Sequence, residues 1–128
     1  MARTPESKVK EQVDSLLAHV GAYVLTPTTG GFGRSGHADR ICCVPDVQGG
    51  LGSFLAVEVK AGKNKPTALQ CRRLLSTLNA GGYAAVVNET NLSVFHTWLA
   101  AIHNGTLDGP RYLLPNGVIL TINTKVGK

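Results

Sequence analysis

The segment Phe54-Leu-Ala-Val-Glu-Val-Lys60 constrains the fold more than any other part of the chain. Its residues read as an interior strand, and side chains on a strand alternate between two faces. Leu55, Val57 and Val59 share one face, which is plainly a core face. Ala56, Glu58 and Lys60 share the other. A charge on an interior strand costs several kcal/mol unless it is paired, so a glutamate and a lysine side by side there need a reason. Two readings stand at this point: a mutual ion pair on a solvent-facing strand, or a chemical site.

The question is whether a second carboxylate meets Glu58. Asp39 and Asp46 lie upstream. If residues 37–44 form the preceding strand and 45–53 a turn, a symmetric antiparallel register sets Asp39 opposite Glu58 and His37 opposite Lys60. Opposed Cβ atoms lie about 4.5–5.5 Å apart, close enough for two carboxylates to share one cation. Asp46 falls in the turn, roughly 20 Å from the pair, and Pro45-Asp46 reads as a turn signal. The first helix, expected over 5–20, carries Val9, Val13, Leu16, Leu17 and Val20 on one face. Glu6 lies within about 60° of Val9 and about 20° of Val13 and Leu17, so it points inward; Glu11 points away. Glu6 is a candidate third carboxylate, or else an ordinary first-turn partner of the helix dipole.

Magnesium suits such a set, because it takes oxygen ligands and is held by one or two carboxylates plus substrate phosphate. In this reading Asp39 and Glu58 are metal ligands, the Val59 carbonyl is a further one, and Lys60 is the electrostatic catalyst.

The rest of the chain reads as short elements with no repeat and no linker. Strand 22–26 precedes a glycine-rich loop, 26–36. A helix opened by Pro66 runs to Asn79 with Cys71, Leu74, Leu75 and Leu78 as its stripe. Strand 83–87 and a helix over 91–103 follow, and residues 111–124 suggest a hairpin turning at Pro115-Asn116-Gly117. The order α-β-β-β-α-β-α-(β-β) argues for an α/β fold: one domain over 1–128 with a central mixed sheet flanked by helices. A length of 128 residues suits one domain.

The net charge of +5 and isoelectric point near 9.4 favour an acidic polymer as partner. Lys63, Lys65, Arg72 and Arg73, together with Arg34 in the glycine-rich loop, are candidate phosphate contacts, although the first four taken singly read more often as ordinary solvated charges and the loop reads equally as a simple flexible one. No apolar run reaches the roughly 18 residues of a membrane span, and residues 1–12 lack a signal peptide's apolar stretch, so a cytoplasmic protein is expected. Cys42, Cys43 and Cys71 show no metal spacing and read as small buried hydrophobes. Gly31-Phe-Gly33-Arg-Ser-Gly36 matches a dinucleotide fingerprint, but a β-type segment follows where a helix is required, so no nucleotide cofactor is expected. Trp98 and Phe95 read as packing or interface residues.

Glu6-Ser-Lys-Val, Gly36-His-Ala-Asp39-Arg-Ile, Glu58-Val-Lys60-Ala and Gln70, in that order and spacing, resemble the VRR-NUC family of the PD-(D/E)XK nuclease superfamily over roughly residues 5–88. Ala38 stands where the family often has proline, a position that contributes no ligand. The resemblance implies a restriction-endonuclease-like core and an active site of Glu6, Asp39, Glu58, Lys60 and Gln70 using magnesium or manganese. It implies a dimeric endonuclease acting on branched DNA such as four-way junctions, of a kind common in phage and bacterial genomes and working in the host cytoplasm. The small size of the chain also suggests a homodimer, formed through the part after about residue 90. The competing readings are a DNA-binding module of the same fold without hydrolysis, and an RNA-directed nuclease.

Overall fold

The computed structural model describes residues 4–28 and 36–120. Helix α1 (Pro5–His19) opens where Thr4 accepts the Ser7 N–H at 3.1 Å and Pro5 supplies a pre-set backbone angle. Gly21, at φ 78°, ends it in a left-handed conformation. Strands β1 (Tyr23–Leu25), β2 (Arg40–Val44) and β3 (Ser53–Val59) then form an antiparallel meander. Helix α2 (Ala68–Asn79) crosses over to β4 (Tyr83–Val87), which is parallel to β3. Helix α3 (Leu92–Asn104) crosses over to β5 (Tyr112–Leu113), parallel to β4. The mixed five-stranded sheet runs β1-β2-β3-β4-β5.

The alternation expected for β3 holds. Leu55, Val57 and Val59 pack with Val9, Val13 and Leu17 of α1 and with Phe95, Trp98, Leu99 and Ile102 of α3. Ala56 faces the other way, into a smaller core with Ala38, Ala84, Val86 and Leu74 beneath α2. The hairpin register also holds: Arg40 pairs with Val57 and Ile41 with Ala56, which sets Asp39 opposite Glu58 by extension. Asp46 lies in the turn, where its carboxylate accepts the Gln48 and Gly50 N–H groups at 3.1 and 3.2 Å. Trp98 and Phe95 are core residues.

Four expectations need correction. Strand β2 begins at Arg40, not His37, because the Asp39 side chain takes the Val59 N–H that a continued ladder would use. Helix α2 is opened by Thr67 as a cap, not by Pro66. Thr67 and Gln70 form a capping box, which satisfies more end groups than a proline at the first position. No hairpin forms over the described part of the tail. Pro115–Val118 does make a turn, with the Val118 N–H on the Pro115 carbonyl at 3.2 Å, but Tyr112–Leu113 takes the open edge of β4 instead. The segment is anchored there by the Trp98 indole on the Pro110 carbonyl and by Arg111 on the Leu78 and Gly82 carbonyls; residues 121–124 lie outside the described part. Cys42 and Cys71 are buried as expected, but Cys43 is exposed, on the part of the α2 face that α2 does not cover. Burial pushes the Cys42 thiol up to about 12, so it is an inert hydrophobe.

Leu17 is fully buried between α1, α3 and the sheet. Leu17→Ala is expected to lower the unfolding free energy by about 2–5 kcal/mol, measured by urea denaturation.

Candidate active site

Glu58 lies on the α2 face of β3 with 2% of its surface exposed. Its Oε2 accepts the Gln70 Nε2 at 2.8 Å and lies 3.4 Å from the Lys60 Nζ. Its Oε1 is buried and has no hydrogen-bond partner. Lys60 follows the end of β3, its N–H on the Val87 carbonyl at 3.0 Å and its side chain 16% exposed. The Glu58–Lys60 pair is therefore an inward-facing one. Of the two readings left open by the sequence, a solvent-facing ion pair is excluded.

Asp39 stands across the hairpin. Its Oδ2 accepts the Val59 N–H at 2.7 Å, and its Oδ1 lies 3.3 Å from the Lys10 Nζ. Lys10 in turn is 3.5 Å from the Glu6 Oε2, one helical turn earlier. The backbone at Asp39 is held by Arg40, whose Nη1 donates to the Asp39 carbonyl at 2.8 Å. The other side of the guanidinium grips Asp14 of α1 with two bonds of 2.6 and 2.9 Å. Such a planar two-point pair fixes orientation as well as distance. Burial pushes the Glu58 carboxyl up to about 8; the neighbouring Asp39 charge pushes the same way, and Lys60 pulls against both.

Gln70 works at both ends. Its Oε1 accepts the Thr67 N–H at 2.9 Å, closing the capping box, while its Nε2 donates to Glu58. The helix start and the carboxylate are held by one amide. Gly36 lets this helix close on the segment that leads to Asp39: its φ is 87°, and a Cβ there would run into the Leu69 side chain.

Among the described residues no three His, Cys, Asp or Glu side chains gather as a metal-holding group. Two carboxylates do meet, and Glu6 reaches them through Lys10. The pair fits a hard divalent cation because of Glu58 Oε1: a buried carboxylate oxygen without a donor is costly, and a cation would satisfy it.

No family model and no curated protein matches this sequence. Among solved structures, a VRR_NUC domain superposes with a TM-score of 0.60 at 24% identity, covering 73% of this chain and 95% of that one. The chain has a VRR_NUC fold.

Within that VRR_NUC fold, the basic residues divide into groups. Lys63 and Lys65 are exposed on the connection after Lys60, where the Gly62 N–H is held by the Glu89 carboxylate at 2.9 and 3.1 Å. Arg72 and Arg73 line a cleft of about 460 Å³ between α2 and the β2–β3 hairpin, together with His37, Ala38, Phe54 and Thr77. The Arg73 Nε there is buried without a partner. Arg34 lies outside the described residues. Lys10 and Arg40 received no role from the sequence. The spacing of Lys10 four residues after Glu6 was the available signal for one; the reach of Arg40 to Asp14, a contact between distant segments, left none.

Glu58 ordinarily titrates near 4.5, and here the value is about 8. Across that window the folded protein holds a proton that the unfolded chain has released. The stability this group contributes is therefore full below about 4.5 and lost as pH rises through about 8. With divalent ions chelated, Glu58→Gln is expected to be increasingly more stable than wild type between about pH 5 and 8, in urea denaturation run side by side. A constant difference across that range would contradict the assignment.

Proposed function

We propose that this protein is a metal-dependent endonuclease that hydrolyses DNA phosphodiester bonds. The observation that carries the reading is the Glu58 carboxylate, buried beside Asp39 and Lys60 with one oxygen left without a donor. Solvent-facing ion pairs have no need of such an arrangement, whereas a divalent cation bound against a phosphate does. The likeness to a VRR_NUC domain supports the same direction.

Asp39 and Glu58 hold the ion in this reading, with the Val59 carbonyl as a further ligand and magnesium or manganese as the cation. When bound, the ion supplies positive charge at the phosphoryl oxygens and acidifies water. The chain's own residues do the rest. Gln70 and Lys60 fix the Glu58 carboxylate from two sides. In this reading the Lys60 ammonium stabilises the charge that develops on the scissile group or orients the attacking water. Arg72 and Arg73 in the cleft, Lys63 and Lys65 on the connection, and Arg34 contact flanking phosphates. The unpartnered Arg73 Nε favours an acceptor oxygen in that cleft.

Branched DNA and a homodimer belong to the same proposal. The part after residue 90 expected to hold a second copy exposes Val94, Tyr112 and Ile119, and Tyr23, Leu25 and Phe54 on the α2 face of β1–β3 offer another apolar surface. No helix among the described residues is long and apolar enough to cross a membrane.

The test is purified protein with magnesium, offered linear duplex, single-stranded, flap and four-way-junction DNA alongside RNA. Cleavage of DNA is expected, abolished by a chelator, with binding that weakens steeply with salt. Asp39→Ala, Glu58→Ala and Lys60→Ala are each expected to lose about 10²-fold or more in rate while the fold and part of the DNA binding persist. Undiminished cutting by Glu58→Ala would sink the assignment. Binding without cutting under both cations would leave a DNA-binding module, and preference for RNA would redirect the substrate.

A further inference from the structure

The Lys10 ammonium sits against the Asp39 oxygen that the Val59 N–H leaves free. Of the two Asp39 oxygens, Oδ2 is committed to the Val59 N–H and Oδ1 faces Lys10 at 3.3 Å. On the Glu58 side, Oε2 is committed to Gln70 and Lys60, and Oε1 is bare. The oxygens left for an incoming ion are thus Glu58 Oε1 and Asp39 Oδ1, and the second is already held by an ammonium group.

We propose that Lys10 is a built-in counter-ion of this site, which neutralises Asp39 in the metal-free protein and is displaced onto Glu6 when the divalent cation binds. The inference rests on the metal-binding reading above. With a cation in place of the Glu58 proton, three carboxylates, Glu6, Asp39 and Glu58, face two ammonium groups, Lys10 and Lys60. A doubly charged cation added to that set makes one ammonium surplus. Lys60 is the more enclosed, with 16% of its side chain exposed against 31% for Lys10. Lys10 also has a second partner ready, since Glu6 is 3.5 Å away and itself 36% exposed. An ion pair that partly solvated is cheap to rearrange. Glu6 in this account is a positioning residue that receives Lys10, rather than a ligand of the ion.

The experiment measures Mn2+ affinity by titration calorimetry, without DNA, on wild type, Lys10→Met, Glu6→Gln and the double variant, with Glu58→Gln as control. Lys10→Met is expected to tighten Mn2+ binding by about two- to fivefold, the scale of one partly exposed ion pair. Glu6→Gln is expected to weaken binding by a similar factor in the wild-type background and to have no effect once Lys10 is gone. An affinity unchanged or weakened by Lys10→Met overturns the proposal. So does a Glu6→Gln loss that persists in the Lys10→Met background, which would make Glu6 a direct ligand. Mn2+ binding that survives Glu58→Gln undiminished overturns the metal-binding reading itself, a separate outcome.

Discussion

A carboxylate with 2% exposure on an interior strand must be neutralised, paired or given donors. Around Glu58 the compensation is drawn from several elements. Lys60 follows the end of the same strand, Gln70 comes from the first turn of α2, and Asp39, just before β2, adds a second negative charge where relief would be expected. Asp39 in turn brings Lys10 of α1 and, through its backbone, the Arg40–Asp14 pair. The contacts of Glu58 tie the hairpin to α2, and those of Asp39 and Arg40 tie it to α1. The compensation is incomplete, and burial together with the Asp39 charge keeps a proton on Glu58 up to about 8.

The two faces of the sheet are built to different ends. Beneath α1 and α3 the packing is bulky and apolar, with Phe95, Leu17, Leu55 and Leu99 fully enclosed. Beneath α2 the sheet presents Ala38, Ala56 and Ala84. These small residues bring α2 close enough for Gln70 to reach across to Glu58. They also leave the cleft that Arg72 and Arg73 line. One face supplies stability through well-packed area; the other gives up packing for access.

Strand periodicity was enough to read the polarity of β3, and the symmetric turn through 45–52 was enough to read the register that sets Asp39 opposite Glu58. Both are local patterns of period two, and a single residue's slip would have reversed them. Helix phase put Glu6 on the Lys10 side of α1, but its side chain stays 36% exposed and reaches Asp39 only through Lys10. What lay beyond the sequence depended on contacts between distant segments. Nothing in a helical stripe says that Lys10 stands between Glu6 and Asp39, or that Arg40 reaches Asp14. The tail misled for a related reason: Pro115-Asn116-Gly117 does turn, but the open edge of β4 competed for the strand before it and won. Thr67 rather than Pro66 opens α2 because the capping box needs Gln70, whose second partner lies on another element.

The double engagement of Gln70 has a mechanical side. The chain from Lys60 to Thr67 is fastened to Glu58 at both ends, directly by the Lys60 ammonium and indirectly by Gln70, whose Oε1 holds the Thr67 N–H. Both fastenings converge on the same atom, Glu58 Oε2. With Oε1 of the amide spoken for by Thr67, the direction of its Nε2 is not open to choice: a turn of the amide would break the helix start and the site together. The connection bearing Lys63 and Lys65 is thus a loop with two of its fastenings on one oxygen and a third at Gly62, whose N–H the Glu89 carboxylate holds.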